Sequence, residues 1–194
     1  MVIPSLPGAI NRAGRQRMLS QRSAKAWLML VQGVLPERAK PILAQSIERF
    51  ELQLSELKTV QPNDEIRGIL LQLEYEWTRF RPLLGDLRAD PKAVWTDNEA
   101  VLASAQKLTL AYERAAGSSA GHLVNLSGRQ RMLSQRMAKA YFFRLMNVNP
   151  GPAGEMLQQA SADFIKAHEQ LKANAGNTAQ INSELGLVEQ QWFF

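Results

Sequence analysis

Asn11-Arg-Ala-Gly-Arg-Gln-Arg-Met-Leu-Ser-Gln-Arg-Ser-Ala-Lys-Ala-Trp27 occurs in this chain a second time, as Asn125-Leu-Ser-Gly-Arg-Gln-Arg-Met-Leu-Ser-Gln-Arg-Met-Ala-Lys-Ala-Tyr141. Thirteen of the 17 positions are identical, nine of them consecutive, and the two stretches lie 114 residues apart. A repeat of this length indicates a tandem duplication. We name the stretches motif one (residues 11–27) and motif two (residues 125–141).

The composition favours helix. The 194 residues are 45% hydrophobic and 21% charged, as in an ordinary globular protein. β-Branched residues are sparse, and few stretches show the period of two that is typical of strands. We therefore predict an all-α fold, an antiparallel helical bundle built from two tandem copies of one module related by a pseudo-twofold axis. Residues 1–97 would hold the first copy and residues 98–194 the second, packed together as one helical unit.

Apolar spacing and capping residues predict where the helices lie. Pro4 and Pro7-Gly8 suggest an irregular entry, and residues 85–97 a connector with Thr96-Asp97 as the next cap. The small residues of 115–121 suit a linker or a helix, and we favour a helix that continues into motif two. The predicted helices cover residues 9–33, 37–59, 65–84, 98–148, 153–175 and the stretch from 177 onwards.

The two arginines in the middle of the motifs, Arg17 and Arg131, lie on helix faces made of small residues. These small residues are Ala13, Gly14 and Ser20 in motif one and Ser127, Gly128 and Ser134 in motif two. A glycine inside a helix costs about 1 kcal/mol relative to alanine, so its presence in both copies indicates close approach of another helix or of a ligand. If the motif helices pack side by side, the two arginines face each other. A planar oxyanion such as nitrate, nitrite or a carboxylate would relieve their repulsion.

Other interpretations of the basic residues stay open. Arginine-rich helix faces are often only solvated and ion-paired. The net charge of +5 also suits nucleic acid or an anionic membrane, but no aromatic side chains are interleaved with the basic ones to stack on bases. Without cysteine or clustered carboxylates, and with His122 and His168 as the only histidines, we predict no enzyme, metal site or cofactor.

The motif pattern Asn-x-x-Gly-Arg-Gln-Arg-Met-Leu-Ser-Gln-Arg-Met-Ala-Lys resembles the signature of the type IV pilus chemoreceptor N-terminal (PilJ-type) sensor domain. That domain is a periplasmic helical module related to the ectodomains of nitrate/nitrite sensor kinases. The resemblance implies that nitrate binds at a twofold interface through the arginine before the methionine. The implied ligand-binding residues are Arg17, Arg131, Gly14, Gly128, Ala13, Ser127, Asn11 and Asn125.

The resemblance also implies location and partners. It implies a periplasmic sensor, whose signal peptide or membrane anchor lies outside this sequence, and which signals by repacking of the motif helices. The partner would be a membrane-bound sensor kinase or chemoreceptor, or a membrane segment of the same protein. In those sensors two subunits supply the twofold, whereas here one chain would carry both halves. The alternative is a pilus chemosensory ectodomain that recognises a protein and binds no small ligand. Motif one departs from the pattern at Arg12 and Ser23, so the site is expected to be asymmetric.

Overall fold

The computed structural model describes residues 5–192, which form helices joined by short turns and contain no strand. The bounds of the seven helices in this range are α1 Leu6–Val31, α2 Pro36–Leu57, α3 Asp64–Gly85, α4 Pro91–Ala116, α5 Ser119–Leu145, α6 Pro150–Lys172 and α7 Ala179–Trp192. Motif one lies in α1 and motif two in α5. The predicted all-α bundle of two tandem copies is confirmed.

The first helix begins earlier than predicted. Ser5 is its N-cap, with the side-chain oxygen accepting a hydrogen bond from the Gly8 amide at 3.3 Å. Pro7 lies in the first turn, where its missing N–H has no helical partner to lose. The predicted irregular entry at Pro7-Gly8 was therefore wrong, and Pro4 lies outside the described residues.

The prediction of a connector over residues 85–97 was also wrong, because α4 begins at Pro91. Asp90 is the N-cap and accepts from the Lys92 amide at 3.0 Å. Thr96 lies inside the helix and bonds to the Lys92 carbonyl. Asp97 is paired with Arg79 at 3.0 Å rather than capping a helix. An aspartate followed by proline is a strong helix start.

The prediction of one continuous helix running through residues 115–121 into motif two was wrong, because α4 and α5 are separate helices. Gly117 ends α4 in the left-handed conformation with φ 58°, which a glycine adopts without the steric cost of a Cβ. Ser118 then caps α5, because its side chain accepts from the Gly121 amide at 3.2 Å. The small-residue stretch 115–121 thus contains the end of α4, a tight turn at Gly117-Ser118 and the start of α5.

The two copies repeat each other in detail. The Gln16 side chain donates to the Phe50 carbonyl at 3.1 Å, and Gln130 donates to the Phe164 carbonyl at 2.9 Å. The rings of Phe50 and Trp77 stack 3.7 Å apart, and those of Phe164 and Trp192 stack 4.3 Å apart. These equivalent contacts show that the duplicated segments fold in the same way around their motif helices.

The copies differ in how much core each one buries. Helices α1 to α4 enclose a continuous apolar core that contains most of the buried side chains. The second copy has a smaller cluster of Met132, Leu133, Ala160 and Phe164 between α5 and α6. No residue of α7 is buried. Helix α4, which covers one side of α1, has no counterpart on α5 in the described residues.

Candidate functional site

The two motif helices meet at a pair of glycines. A Cβ built on Gly128 would lie 4.0 Å from the Gly14 Cα, so the two backbones are in direct van der Waals range. The same Cβ would lie 3.4 Å from Nη2 of Arg17 and 3.7 Å from Nη2 of Arg131. A Cβ on Gly14 would come within 3.0 Å of Nη2 of Arg17. The glycines therefore allow both the close helix crossing and the placement of two guanidinium groups beside it.

Gly128→Leu will lower the free energy of unfolding by about 1–3 kcal/mol, because the larger side chain must push the two helices or the two arginines apart. Gly68→Leu is the matched control. Gly68 also lies inside a helix, but a Cβ there would meet nothing within 4 Å. That substitution should be neutral or stabilising, since a glycine in a helix is about 1 kcal/mol worse than a good helix former. Urea denaturation of the two variants measures the difference, and equal effects would show that the crossing is not tightly packed.

Arg17 is completely buried although it is charged. Its Nη1 donates to Oε1 of Gln106 at 2.6 Å and its Nη2 to the backbone carbonyl of Asn125 at 3.2 Å. None of the ion pairs among residues 5–192 includes Arg17. Burial and the positive charge of Arg129 lower the pKa of Arg17 to about 10, against the opposing effect of Glu113. A buried guanidinium held only by neutral acceptors is an unusual and costly arrangement.

Arg131 occupies the equivalent position in motif two but is exposed. Its Nη2 contacts Oδ1 of Asn11 at 3.2 Å. Loss of hydration at the crossing and the positive charge of Arg15 lower its pKa. Each of the two arginines thus reaches the asparagine that begins the other motif, as a pseudo-twofold axis requires.

Helix α4 is the reason why Arg17 is buried and Arg131 is exposed. Asn98 of α4 accepts from the Gln21 side chain at 3.0 Å and donates to the Ser20 carbonyl at 2.9 Å. Together with Gln106 it covers the small-residue face of motif one. The equivalent Ser134 of motif two is exposed. The candidate site is therefore closed on the side of α4 and open on the opposite side.

The remaining sequence-predicted residues lie in different surroundings. Ala13 is fully buried. Asn125 is buried, and its side chain donates to Glu113. Ser127 is exposed, and its hydroxyl donates to the Val124 carbonyl in its own helix at 3.0 Å. The crossing thus brings together the two arginines, the two glycines and the two asparagines, whereas Ser127 turns back on its own helix.

Gln106 and Glu113 belong to the site but were not predicted. Both lie on α4, outside the motifs, and Gln106 supplies the shortest hydrogen bond to Arg17. The sequence of an amphipathic helix does not indicate which residue of another helix a given polar side chain will contact. The duplication pointed only to residues that occur twice, and α4, which packs mainly against α1, occurs once among the described helices.

Two other basic residues of motif two, Arg136 and Lys139, share Glu99 as their ion-pair partner. Arg136 binds both carboxylate oxygens of Glu99, at 2.9 and 2.7 Å. Lys139 is fully buried, and its Nζ lies 2.8 Å from Oδ1 of Asn98 and 2.5 Å from Oε1 of Glu99. Burial lowers the pKa of Lys139 to about 8 despite the attraction of Glu99. The interpretation of the basic residues as ion-paired thus holds for these two. It does not hold for Arg17 and Arg131, which form no ion pair among the described residues.

The described residues thus form a duplicated helical bundle with two arginines at the crossing of its motif helices. The family described as type IV pili methyl-accepting chemotaxis transducer N-term (PilJ) matches residues 7–113 and 115–193. The chain therefore belongs to this family, and each of the two matched segments contains one of the two motifs. Domains of this family are non-catalytic, extracytoplasmic sensor domains of membrane chemoreceptors.

No curated protein and no solved structure matches the chain. Among the described residues, no helix combines the length and the apolar character needed to cross a bilayer.

Proposed function

We propose that this sensor domain binds a small planar oxyanion, nitrate or nitrite, at the crossing of α1 and α5. The observation that carries the proposal is the guanidinium of Arg17. It is buried without a carboxylate partner, at a helix crossing that also holds the guanidinium of Arg131. The motif's resemblance to the signature of nitrate/nitrite sensor ectodomains supports the same ligand.

The energetics favour an anion at this place. A buried charge that has no counterion costs several kcal/mol, and two guanidinium groups beside one crossing repel each other. A trigonal oxyanion accepts paired hydrogen bonds from guanidinium groups in its own plane. Binding would therefore offset the cost of burying Arg17 and draw Arg131 towards the crossing.

The crossing also offers a route for a signal. A ligand can shift a conformational equilibrium only if it binds one arrangement better than another. Because Gly14 and Gly128 bring the two backbones into contact, a small rotation of α5 on α1 changes the separation of the two arginines. We infer that the anion favours the arrangement in which both arginines reach it. A membrane-bound chemoreceptor or sensor kinase, or a membrane segment of the same protein, would receive the change.

Thermal unfolding in the presence of nitrate, nitrite, chloride, sulfate and phosphate at equal ionic strength tests the proposal. A ligand at 100 times its Kd adds about 2.7 kcal/mol of stability, which raises Tm by several degrees for a domain of this size. We expect that rise with nitrate or nitrite, and its loss in Arg17→Ala and in Arg131→Ala. Arg38→Ala is the matched control, because Arg38 is exposed on α2, away from the crossing.

An equal rise with chloride, or a nitrate response that survives in both arginine variants, would refute the oxyanion proposal. The alternative would then be a domain that recognises a protein. The exposed apolar side chains of Ile181, Leu187 and Val188 on α7 are the feature that favours it.

A further inference from the structure

A second space lies beside Arg17, away from the glycine crossing. It is a cleft of about 360 Å³ between α4, α5 and α6. Each of the three helices lines it with residues spaced three or four apart, as one helix face requires. The lining residues are Gln106, Leu110 and Glu113 from α4, His122, Asn125, Leu126 and Arg129 from α5, Asp163, Lys166, Ala167 and Gln170 from α6, and Arg17 from α1. Arg131 is not among them.

Two of the cations that line the cleft have no carboxylate partner within residues 5–192. They are Arg17, which is fully buried, and Lys166, which is exposed on α6. The third cation, Arg129, is paired with Asp163 at 2.7 Å. The lining of the cleft therefore includes one cation on α1 and another on α6 that have no carboxylate partner among the described residues.

The two carboxylates of the cleft already accept hydrogen bonds, but each can accept a further one. Glu113 contacts His122 at 2.7 Å and also accepts from Asn125. Asp163 accepts from Arg129 at 2.7 Å and from Gln159 at 2.9 Å. Each carboxylate has about four lone-pair positions, so either one can accept from a further donor such as an ammonium group.

The shape and charge of the cleft indicate the size and charge of its ligand. The volume is far larger than a nitrate ion needs. Leu126 and Ala167 are buried apolar residues of the lining, and they suit a short aliphatic chain. The three arginine and lysine cations and the two carboxylates of the lining sum to one net positive charge, which a ligand of net charge minus one would balance.

We infer that this cleft binds an acidic amino acid, with one carboxylate on Arg17, the other on Lys166, and the ammonium group on Glu113 or Asp163. Arg17 is fully buried and lines the cleft, where it has no carboxylate partner among residues 5–192. The inference shares Arg17 with the proposed oxyanion site, but it places a different ligand in a different space. The two sites can therefore be separated by residues that only one of them uses.

Isothermal titration calorimetry of the purified protein with glutamate, aspartate, glutarate, glutamine and nitrate tests the inference. We expect glutamate or aspartate to bind, and Lys166→Ala to weaken that binding about tenfold or more, because an ionic hydrogen bond is lost. Lys40→Ala is the matched control, since Lys40 is an exposed lysine on α2. Glutamine lacks the second carboxylate, and glutarate lacks the ammonium group, so both should bind at least tenfold more weakly.

A second variant fills the cleft without touching a charge. Leu110 lines the cleft and is 37% exposed, so Leu110→Trp should fold and block the amino acid. Arg131→Ala should leave amino-acid binding intact and remove nitrate binding, whereas Lys166→Ala should do the opposite. Circular dichroism checks that each variant is helical.

Three results would overturn the inference. They are no heat of binding with either acidic amino acid, undiminished binding in both Lys166→Ala and Leu110→Trp, and glutarate binding as tight as that of glutamate. If nitrate alone binds, the oxyanion proposal stands and this one fails. If an amino acid alone binds with the expected losses, the reverse holds.

Discussion

Trp77→Ala will lower the free energy of unfolding by about 3–5 kcal/mol, while Trp192→Ala will lower it by no more than about 1–2 kcal/mol. The two tryptophans are equivalent in the duplication and stack on equivalent phenylalanines. Trp77 is only 5% exposed and also packs edge-on against Phe80. Trp192 lies on α7, which buries none of its residues. The tryptophan side chain should therefore contribute much more to the free energy of unfolding in the first copy than in the second.

Urea denaturation monitored by circular dichroism measures both losses, with the slope m checked so that a change in midpoint reports stability. The substitutions are the same, so side-chain chemistry is matched and only the surroundings differ. Equal losses would mean that the second copy is as fully packed in solution as the first, contrary to the structure.

Arg17→Met will raise the free energy of unfolding by about 1–4 kcal/mol, because it removes a buried charge and keeps an apolar side chain of similar length. Arg131→Met should change stability by no more than about 0.5 kcal/mol, since that residue is exposed. The pair thus compares one substitution at two equivalent positions of a repeated sequence. Denaturant unfolding without added nitrate is the measurement, with chloride as the only small anion.

A loss of stability in Arg17→Met would show that the hydrogen bonds to Gln106 and Asn125 outweigh the cost of burying the charge. Arg17 would then be a structural residue. A gain would show that the chain retains a destabilising arginine at its helix crossing. That is the behaviour expected of a residue kept for a ligand, because binding sites commonly trade stability for function.

Much of the fold could be predicted from short-range signals. The repeated Gly-Arg-Gln-Arg-Met-Leu-Ser-Gln-Arg run showed the duplication, and apolar spacing placed α2, α3 and α6 to within a few residues. The start of α4 and the break before α5 were mispredicted although their signals were present. Asp90-Pro91 is a helix start, and Gly117-Ser118 is a stop followed by a cap.

The candidate site could be predicted only in part. The sequence by itself determined that two arginine motifs with an identical nine-residue run lie on two helices, with a glycine one turn before each central arginine. It could not distinguish Arg17 from Arg131, because their local sequences are the same. Only the tertiary structure decided that Arg17 is buried and Arg131 exposed. The physical reason is that α4 packs over one motif helix, excludes water from it and supplies Gln106, while the equivalent face of α5 stays open among the described residues.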